Sequence, residues 1–189
     1  FDFTTAVNYP KGELRGLELE ARQSLGVLWE PLDGFTAGAN ATFIDARVAL
    51  PADEAAGFRL PNIRAPMDAR DMTNAPDHLY NLFLTWDLEA TGTQVALFWT
   101  VQGDTLVAGA TQSAGNFVPS VYAEGWGTLN LSVNQRLGEY VRLQLQAKNL
   151  TDPQIREVYR SEYIGDDVTR SAQSRGVDLA IGIGGELRF

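Results

Sequence analysis

The chain has no cysteine and a single histidine, His78. The first absence removes disulfides, thiol nucleophiles and thiolate metal sites, and the second removes multi-histidine metal centres and leaves one imidazole for any triad. Basic residues are also scarce: Lys+Arg number 15 against Asp+Glu 24, a formal net charge of -9. Phosphate backbones are bound by basic faces, so nucleic acid is excluded as a partner. No run of 18 apolar residues occurs anywhere in the sequence, which excludes a transmembrane helix but not a transmembrane β-barrel, whose signal is alternation. With 44% hydrophobic and 10% aromatic residues, the 189-residue chain has the composition of a folded molecule.

What is present is a two-residue period. Val177, Leu179, Ile181, Ile183, Leu187 and Phe189 fall on one parity, and Asp178, Ala180, Gly182, Gly184, Glu186 and Arg188 on the other. That is the pattern of a strand with one apolar face. Val141, Leu143, Leu145 and Ala147 alternate with Arg142, Gln144, Gln146 and Lys148 in the same way. Leu129, Leu131 and Val133 alternate with Asn130, Ser132 and Asn134. Leu82, Leu84, Trp86 and Leu88 repeat the pattern, with Phe83 as an exception on the polar parity. Further strands are expected over 93–104, 35–48 and 12–25, in the last of which Leu17 and Leu19 oppose Glu18, Glu20 and Arg22.

The connections alternate as well. Short ones, at 26–34, Thr91-Gly92 and Leu137-Gly138, carry the glycine that tight hairpins require. Long ones run over 51–76, 106–120 and 151–173 and are expected to be loops. One rim is therefore short-turned and the other long-looped, as in outer-membrane barrels with short periplasmic turns, apolar side chains toward lipid and polar ones inward. Trp86, Tyr140 and Phe189 fall near the short turns, and Phe43, Tyr122 and Trp126 near the long loops, where interfacial aromatic girdles belong.

About seven strands are expected, an odd number that cannot close an up-and-down barrel by itself, and the first and last begin and end at opposite rims. The opening Phe1-Asp2-Phe3-Thr4-Thr5 has neither an initiator methionine nor a secretion signal. The expectation is an all-β, antiparallel up-and-down transmembrane β-barrel, with residues 1–189 forming its C-terminal part and the earlier strands missing.

Three stretches resemble the barrel of TonB-dependent outer-membrane receptors. They are Asn8-Tyr9-Pro10-Lys11-Gly12-Glu13-Leu14-Arg15-Gly16-Leu17-Glu18-Leu19-Glu20; Ala147-Lys148-Asn149-Leu150-Thr151-Asp152-Pro153 with Val158-Tyr159-Arg160; and Ser174-Arg175-Gly176-Val177 running to Phe189. The resemblance implies a 22-stranded barrel with an N-terminal plug in the outer membrane of a Gram-negative bacterium. It implies import of a scarce ligand of the siderophore, cobalamin or carbohydrate class, energised by TonB through the plug. The partners it implies are outer-membrane lipid, the rest of the same receptor chain and the barrel-assembly machinery. That machinery would recognise the closing strand at Val177, Leu179, Ile181, Ile183, Leu187 and Phe189.

Glu18, Glu20, Arg22, Arg142, Lys148, Glu186 and Arg188 share the inward parity, where a polar, salt-bridged lumen or contacts to a plug or ligand path would place them. Asp166, Asp167 and Glu162 read as a charged, solvated loop, since adjacent residues of an extended chain point apart. Asp68, Asp71 and Asp77 around His78 make a weaker metal pattern still, and His78 reads as an interfacial or capping residue. No catalytic constellation, cofactor motif or metal set emerges, so an enzyme is not expected. The rival expectation is a soluble β-sandwich ligand- or carbohydrate-binding module, with the apolar parity packed between two sheets.

Overall fold

The structure, a computed structural model, describes residues 8–185. In chain order its strands and helix are β1 (Lys11–Ser24), β2 (Phe35–Ala49), α1 (Ala52–Phe58), β3 (Ala69–Asp71), β4 (His78–Leu88), β5 (Thr93–Gln102) and β6 (Thr105–Ala108). Then follow β7 (Thr111–Ser113), β8 (Asn116–Val118), β9 (Ser120–Ala123), β10 (Trp126–Leu137), β11 (Val141–Lys148), β12 (Ile155–Arg160), β13 (Val168–Gln173) and β14 (Asp178–Gly185). The main sheet runs β1-β2-β4-β5-β10-β11-β14, with every pairing antiparallel, and β3 adds to β2 at one end. These seven strands are the seven expected from the alternation. Among the described residues the sheet is open, with β1 and β14 at its edges.

Register converts the alternation of each strand into rows that cross the sheet. One row reads Phe35, Trp86, Val95, Val133, Leu145 and Ile181, apolar throughout. Another reads Ala37, Leu84, Leu97, Leu131, Ala147 and Leu179. Between them, on the opposite face, runs Thr36, Thr85, Ala96, Ser132, Gln146 and Ala180. Much of the apolar face is uncovered, with Ile181 79% and Ile183 77% exposed. A sandwich would bury that face under a second sheet; among the described residues none lies there, and the β-sandwich expectation is set aside. Strands β4, β5 and β10, at 11, 10 and 12 residues, have the length that crosses a bilayer when tilted by about 45°.

The turns at one rim are short. Gly92 ends the β4–β5 turn at φ 65, a conformation an L side chain adopts only with strain, and its amide donates to the Glu89 carbonyl. The β1–β2 connection is tighter than its length suggests, because two single 3₁₀ turns, Leu25–Val27 and Glu30–Leu32, fold it back on itself. At this rim Phe35 stacks on Trp86, with ring centroids 5.5 Å apart. Toward the other rim Phe43 meets Tyr80 edge-on at 5.7 Å and His78 stacks on Tyr80 at 4.6 Å.

The long connections differ from expectation. They are not irregular: 106–120 contains most of β6 together with β7 and β8, 151–173 contains β12 and β13, and 51–76 contains α1 and β3. Strands β13-β12-β9-β6 form a second sheet in the same lateral order as β14, β11, β10 and β5, which they adjoin in sequence. The wall thus continues beyond the apolar band. Its period is lost to pattern reading because the register shifts between Leu106 and Ala108 and between Glu157 and Val158.

Candidate functional site at the loop-bearing rim

The buried core of the described residues lies at this rim, not in the wall. Leu50, Ala55, Phe58, Ile63, Ala65 and Ala110 form one cluster, with Tyr9, Met67 and Phe117 packed against it. Helix α1 turns Ala55 and Phe58 inward, and Phe58 meets Phe117 of β8 edge-on at 6.3 Å. Phe117 in turn meets Tyr163 at 6.0 Å, and the Tyr163 hydroxyl donates to the Pro66 carbonyl at 2.6 Å. All three long connections are therefore tied together. Leu106 and Val158, 1% and 0% exposed, seal the second sheet beneath them.

A cavity of about 340 Å³ opens among β3, β9 and the segment after β12. Its walls include Arg70, Asp71, Ser120, Tyr122, Arg160 and Tyr163. The Tyr122 hydroxyl donates to Asp71 at 2.7 Å, and the Arg160 guanidinium lies 5.1 Å from the Tyr122 ring centroid. Burial, and then the hydrogen bond to Asp71, push the Tyr122 pKa well above the ordinary phenol value. Arg160 reaches Asp104 at 2.5 Å and Asp167 at 2.7 Å. Burial opposes its charge, but the two carboxylates outweigh that and raise its pKa. This pair of bonds joins the β5–β6 junction, β12 and the 161–167 segment. Tyr122, expected in an aromatic girdle, instead belongs to this partly buried network.

The motif residues form a second constellation, at the junction of wall and extension. Asn149, at φ 57, donates through Nδ2 to the Gly176 carbonyl at 2.8 Å, and its backbone amide donates to Asn130 Oδ1 at 3.0 Å. Thr151 Oγ1 donates to the Gly127 carbonyl at 2.9 Å, and the Leu150 amide donates to Leu129. Asp152 Oδ1 accepts from Ser174 Oγ at 2.5 Å and from the Gly176 amide at 2.9 Å. The Asn-Leu-Thr-Asp and Ser-Arg-Gly stretches, which sequence could only note separately, thus clasp β10, β11 and the entry to β14.

The other sequence-selected residues are dispersed. Glu18, Glu20 and Arg22 pair in register with Thr42, Asn40 and Gly38 on the polar face. There Arg22 stands 5.9 Å from the Phe83 ring, which also neighbours Phe98 at 6.4 Å. Phe83, the exception in the alternation, lies over Gly38, where an added Cβ would come within 2.3 Å of the ring. Arg142 and Lys148 pair with Gly184 and Asp178. Among the described residues none of Glu18, Glu20, Arg22, Arg142 and Lys148 makes an ion pair; the salt bridges lie toward the loop-bearing rim instead. Val177 precedes β14, in which Leu179, Ile181 and Ile183 share the apolar face, while Glu186, Leu187, Arg188 and Phe189 lie outside the described residues. Asp68 binds Arg59 at 2.6 Å, Asp71 serves Tyr122, and Asp77 meets His78 at 2.9 Å, so the three carboxylates face different partners.

Comparison with known proteins agrees with this architecture. The crystal structure of ferric citrate transporter FecA in the unliganded form has a similar fold, with a TM-score of 0.61 at 16% identity, over 92% of this chain and 24% of that one. The chain thus spans about a quarter of the length of that structure. No curated protein sequence matches. A family model described as TonB dependent receptor-like, beta-barrel, matches residues 1–150, and the chain belongs to that family.

Proposed function

We propose that the chain is the C-terminal part of the barrel domain of an outer-membrane receptor that imports a scarce ligand of the siderophore, cobalamin or carbohydrate class in a Gram-negative bacterium. The observation that supports this most is the alternation of rows across the open main sheet, apolar on one face and polar on the other. A wall of this kind has one solvent that suits it, the acyl core of a bilayer. The polar face then lines a lumen, with Glu18, Glu20, Arg22, Arg142, Lys148, Glu186 and Arg188 toward a plug or ligand path. The unpaired edge of β1 receives earlier strands of the same receptor chain. The plug of that longer chain engages TonB, and the closing strand, with Val177, Leu179, Ile181, Ile183, Leu187 and Phe189, is the segment read by the barrel-assembly machinery. An exposed strand edge with alternating apolar side chains is suited to such β-augmentation.

The test uses the complete receptor in living cells. Cells with and without its gene are compared for TonB-dependent accumulation of radiolabelled ferric citrate, cobalamin and maltodextrin. Loss of accumulation of one of the three is expected. Identical accumulation of all three, with the receptor present in the outer membrane, would overturn the reading.

A further inference from the structure

Two aromatic side chains stand where the alternation calls for polar ones. Phe83 and Phe98 face each other in register across β4 and β5, on the polar face of the main sheet. The row they belong to reads Arg22, Gly38, Phe83, Phe98 and Asn130. The two rings are tilted by 39° with their centroids 6.4 Å apart. Phe83 is laid down toward β2 over Gly38, where any side chain would run into the ring, and the Arg22 guanidinium borders that side. Phe98 is 43% exposed and Phe83 half-buried, so the pair is an open platform and not a core contact. Bare phenyl rings on an otherwise hydrophilic wall cost free energy until something apolar covers them.

The neighbouring rows indicate what does. On one side stand Asn40, Asn81, Thr100 and Thr128, and on the other Thr36, Thr85 and Ser132. Asn81 Nδ2 donates to Asn40 Oδ1 at 2.8 Å, which holds both amides and leaves Asn40 Nδ2 to donate and Asn81 Oδ1 to accept elsewhere. On the polar face of β2, β4, β5 and β10 the charged side chains are Asp87 and Arg136, both beside the short turns. Along β1, Glu18 and Glu20 accompany Arg22, so an anion at the platform meets repulsion as well as attraction. A pyranose ring makes the matching demand: a flat face of C–H bonds that lies on phenyl rings, and a rim of hydroxyls that donate to and accept from neutral amides and hydroxyls.

We propose that the Phe83–Phe98 platform is a stacking subsite for an uncharged pyranose ring, with Asn40, Asn81 and Arg22 bonding its hydroxyls. The inference deepens the uptake reading by selecting the carbohydrate class, and rests on it for the polar face being a lumen. Binding at the platform does not itself require transport.

The experiment is calorimetric titration of the complete receptor in phosphatidylcholine nanodiscs with three uncharged sugars, maltoheptaose, xylohexaose and sucrose, and with salicylate as an aromatic anion. At least one sugar is expected to bind and salicylate not. Phe98→Ala should weaken that sugar by about 5- to 10-fold, the scale of one aromatic contact. Phe98→Trp keeps a stacking face and should hold the affinity within about 2-fold, which separates a lost contact from lost folding. Gly38→Ala, which pushes the Phe83 ring off β2, should weaken the sugar several-fold. Phe43→Ala removes a phenyl of the same 43% exposure from the opposite face and should change the affinity by less than about 2-fold. No binding of any of the three sugars, equal losses in Phe98→Ala and Phe43→Ala, or salicylate binding as tight as the sugar would overturn the proposal. So would an unchanged sugar affinity in Phe98→Ala together with faster hydrogen exchange in the plug, because the pair would then be a plug contact. If a sugar binds with the expected Phe98 dependence while cells accumulate nothing, the subsite stands and the uptake reading falls; accumulation of ferric citrate or cobalamin without sugar binding does the reverse.

Discussion

In the wall the large apolar side chains point away from the protein, with Leu179, Ile181 and Ile183 at 67%, 79% and 77% exposure; in the rim Phe58, Leu106 and Val158 are at 1%, 1% and 0%. The same chain therefore holds its two regions by different means. The wall relies on backbone ladders and on a solvent of low polarity around it, and its polar face makes few side-chain contacts. The rim stands in water and builds a small globular core of its own, crossed by ion pairs and clasped by Asn149 and Asp152. The lesson is that among the described residues full burial of large side chains marks loop architecture, whereas exposure of leucine and isoleucine marks the face turned to lipid.

The largest expected effect tests the rim alone. Phe58→Ala empties a fully buried site and should cost about 3–5 kcal/mol of local stability. Limited proteolysis of the complete receptor should then cut within 51–76, while the wall remains assembled. If the wall unfolds as well, the two regions are one cooperative unit and the comparison breaks.

The next effect tests the wall alone. Ile181→Arg should disfavour insertion by about 2–4 kcal/mol if that residue lies near the bilayer midplane, measured by folding of the receptor into lipid vesicles. Gly182→Arg, on the polar face opposite Gln144, should cost much less. Equal costs at the two positions would remove the distinction between the faces.

A smaller effect is expected at the junction. Asp152→Ala removes the acceptor for Ser174 and for the Gly176 amide and should cost about 1–3 kcal/mol. Hydrogen exchange should rise at Gly176 while the Leu143 and Leu145 amides stay protected; a rise along all of β11 would make the clasp part of the wall.

The smallest is a pH effect confined to the rim. The Tyr122 pKa is raised on folding, so its contribution is fully present below the ordinary phenol value of about 10 and is lost as pH rises beyond it toward the folded value. Alkaline titration followed by tyrosinate absorbance should show one late-ionising phenol that Tyr122→Phe removes, together with part of the alkaline loosening of the rim. An unchanged titration would place the phenol in water.

The wall was legible in the sequence because the period of two is imposed by a single physical demand along its whole height. Leu143 and Leu145 face one medium and Gln144 and Gln146 another, and nothing interrupts them. The rim was not, because its contacts join distant positions: Arg70 meets Tyr9 across 61 residues, and Tyr163 reaches Pro66 across 97. Its strands are also cut by bulges and by the left-handed residues Asn149, Asp152 and Gly176, which break the parity that reading depends on. Tyr122 was misplaced for the same reason, since an aromatic at the end of a strand pattern looks the same whether it floats at an interface or fills a cavity. The Asn149 and Asp152 motif could be spotted as a motif, but its hydrogen bonds to residues near 127–130 and 174–176 carry no local signature.

The central claim is that the apolar face of the main sheet meets lipid and the polar face meets water. It is tested most directly by single cysteines placed one at a time along β11 of the complete receptor, at Leu143, Gln144, Leu145 and Gln146, each carrying a nitroxide. In bilayers, the labels at 143 and 145 should collide with dissolved oxygen and be shielded from an aqueous nickel chelate, and those at 144 and 146 should show the reverse. Labels at 143 and 145 that are shielded from both reagents, or all four open to the chelate, would contradict the account.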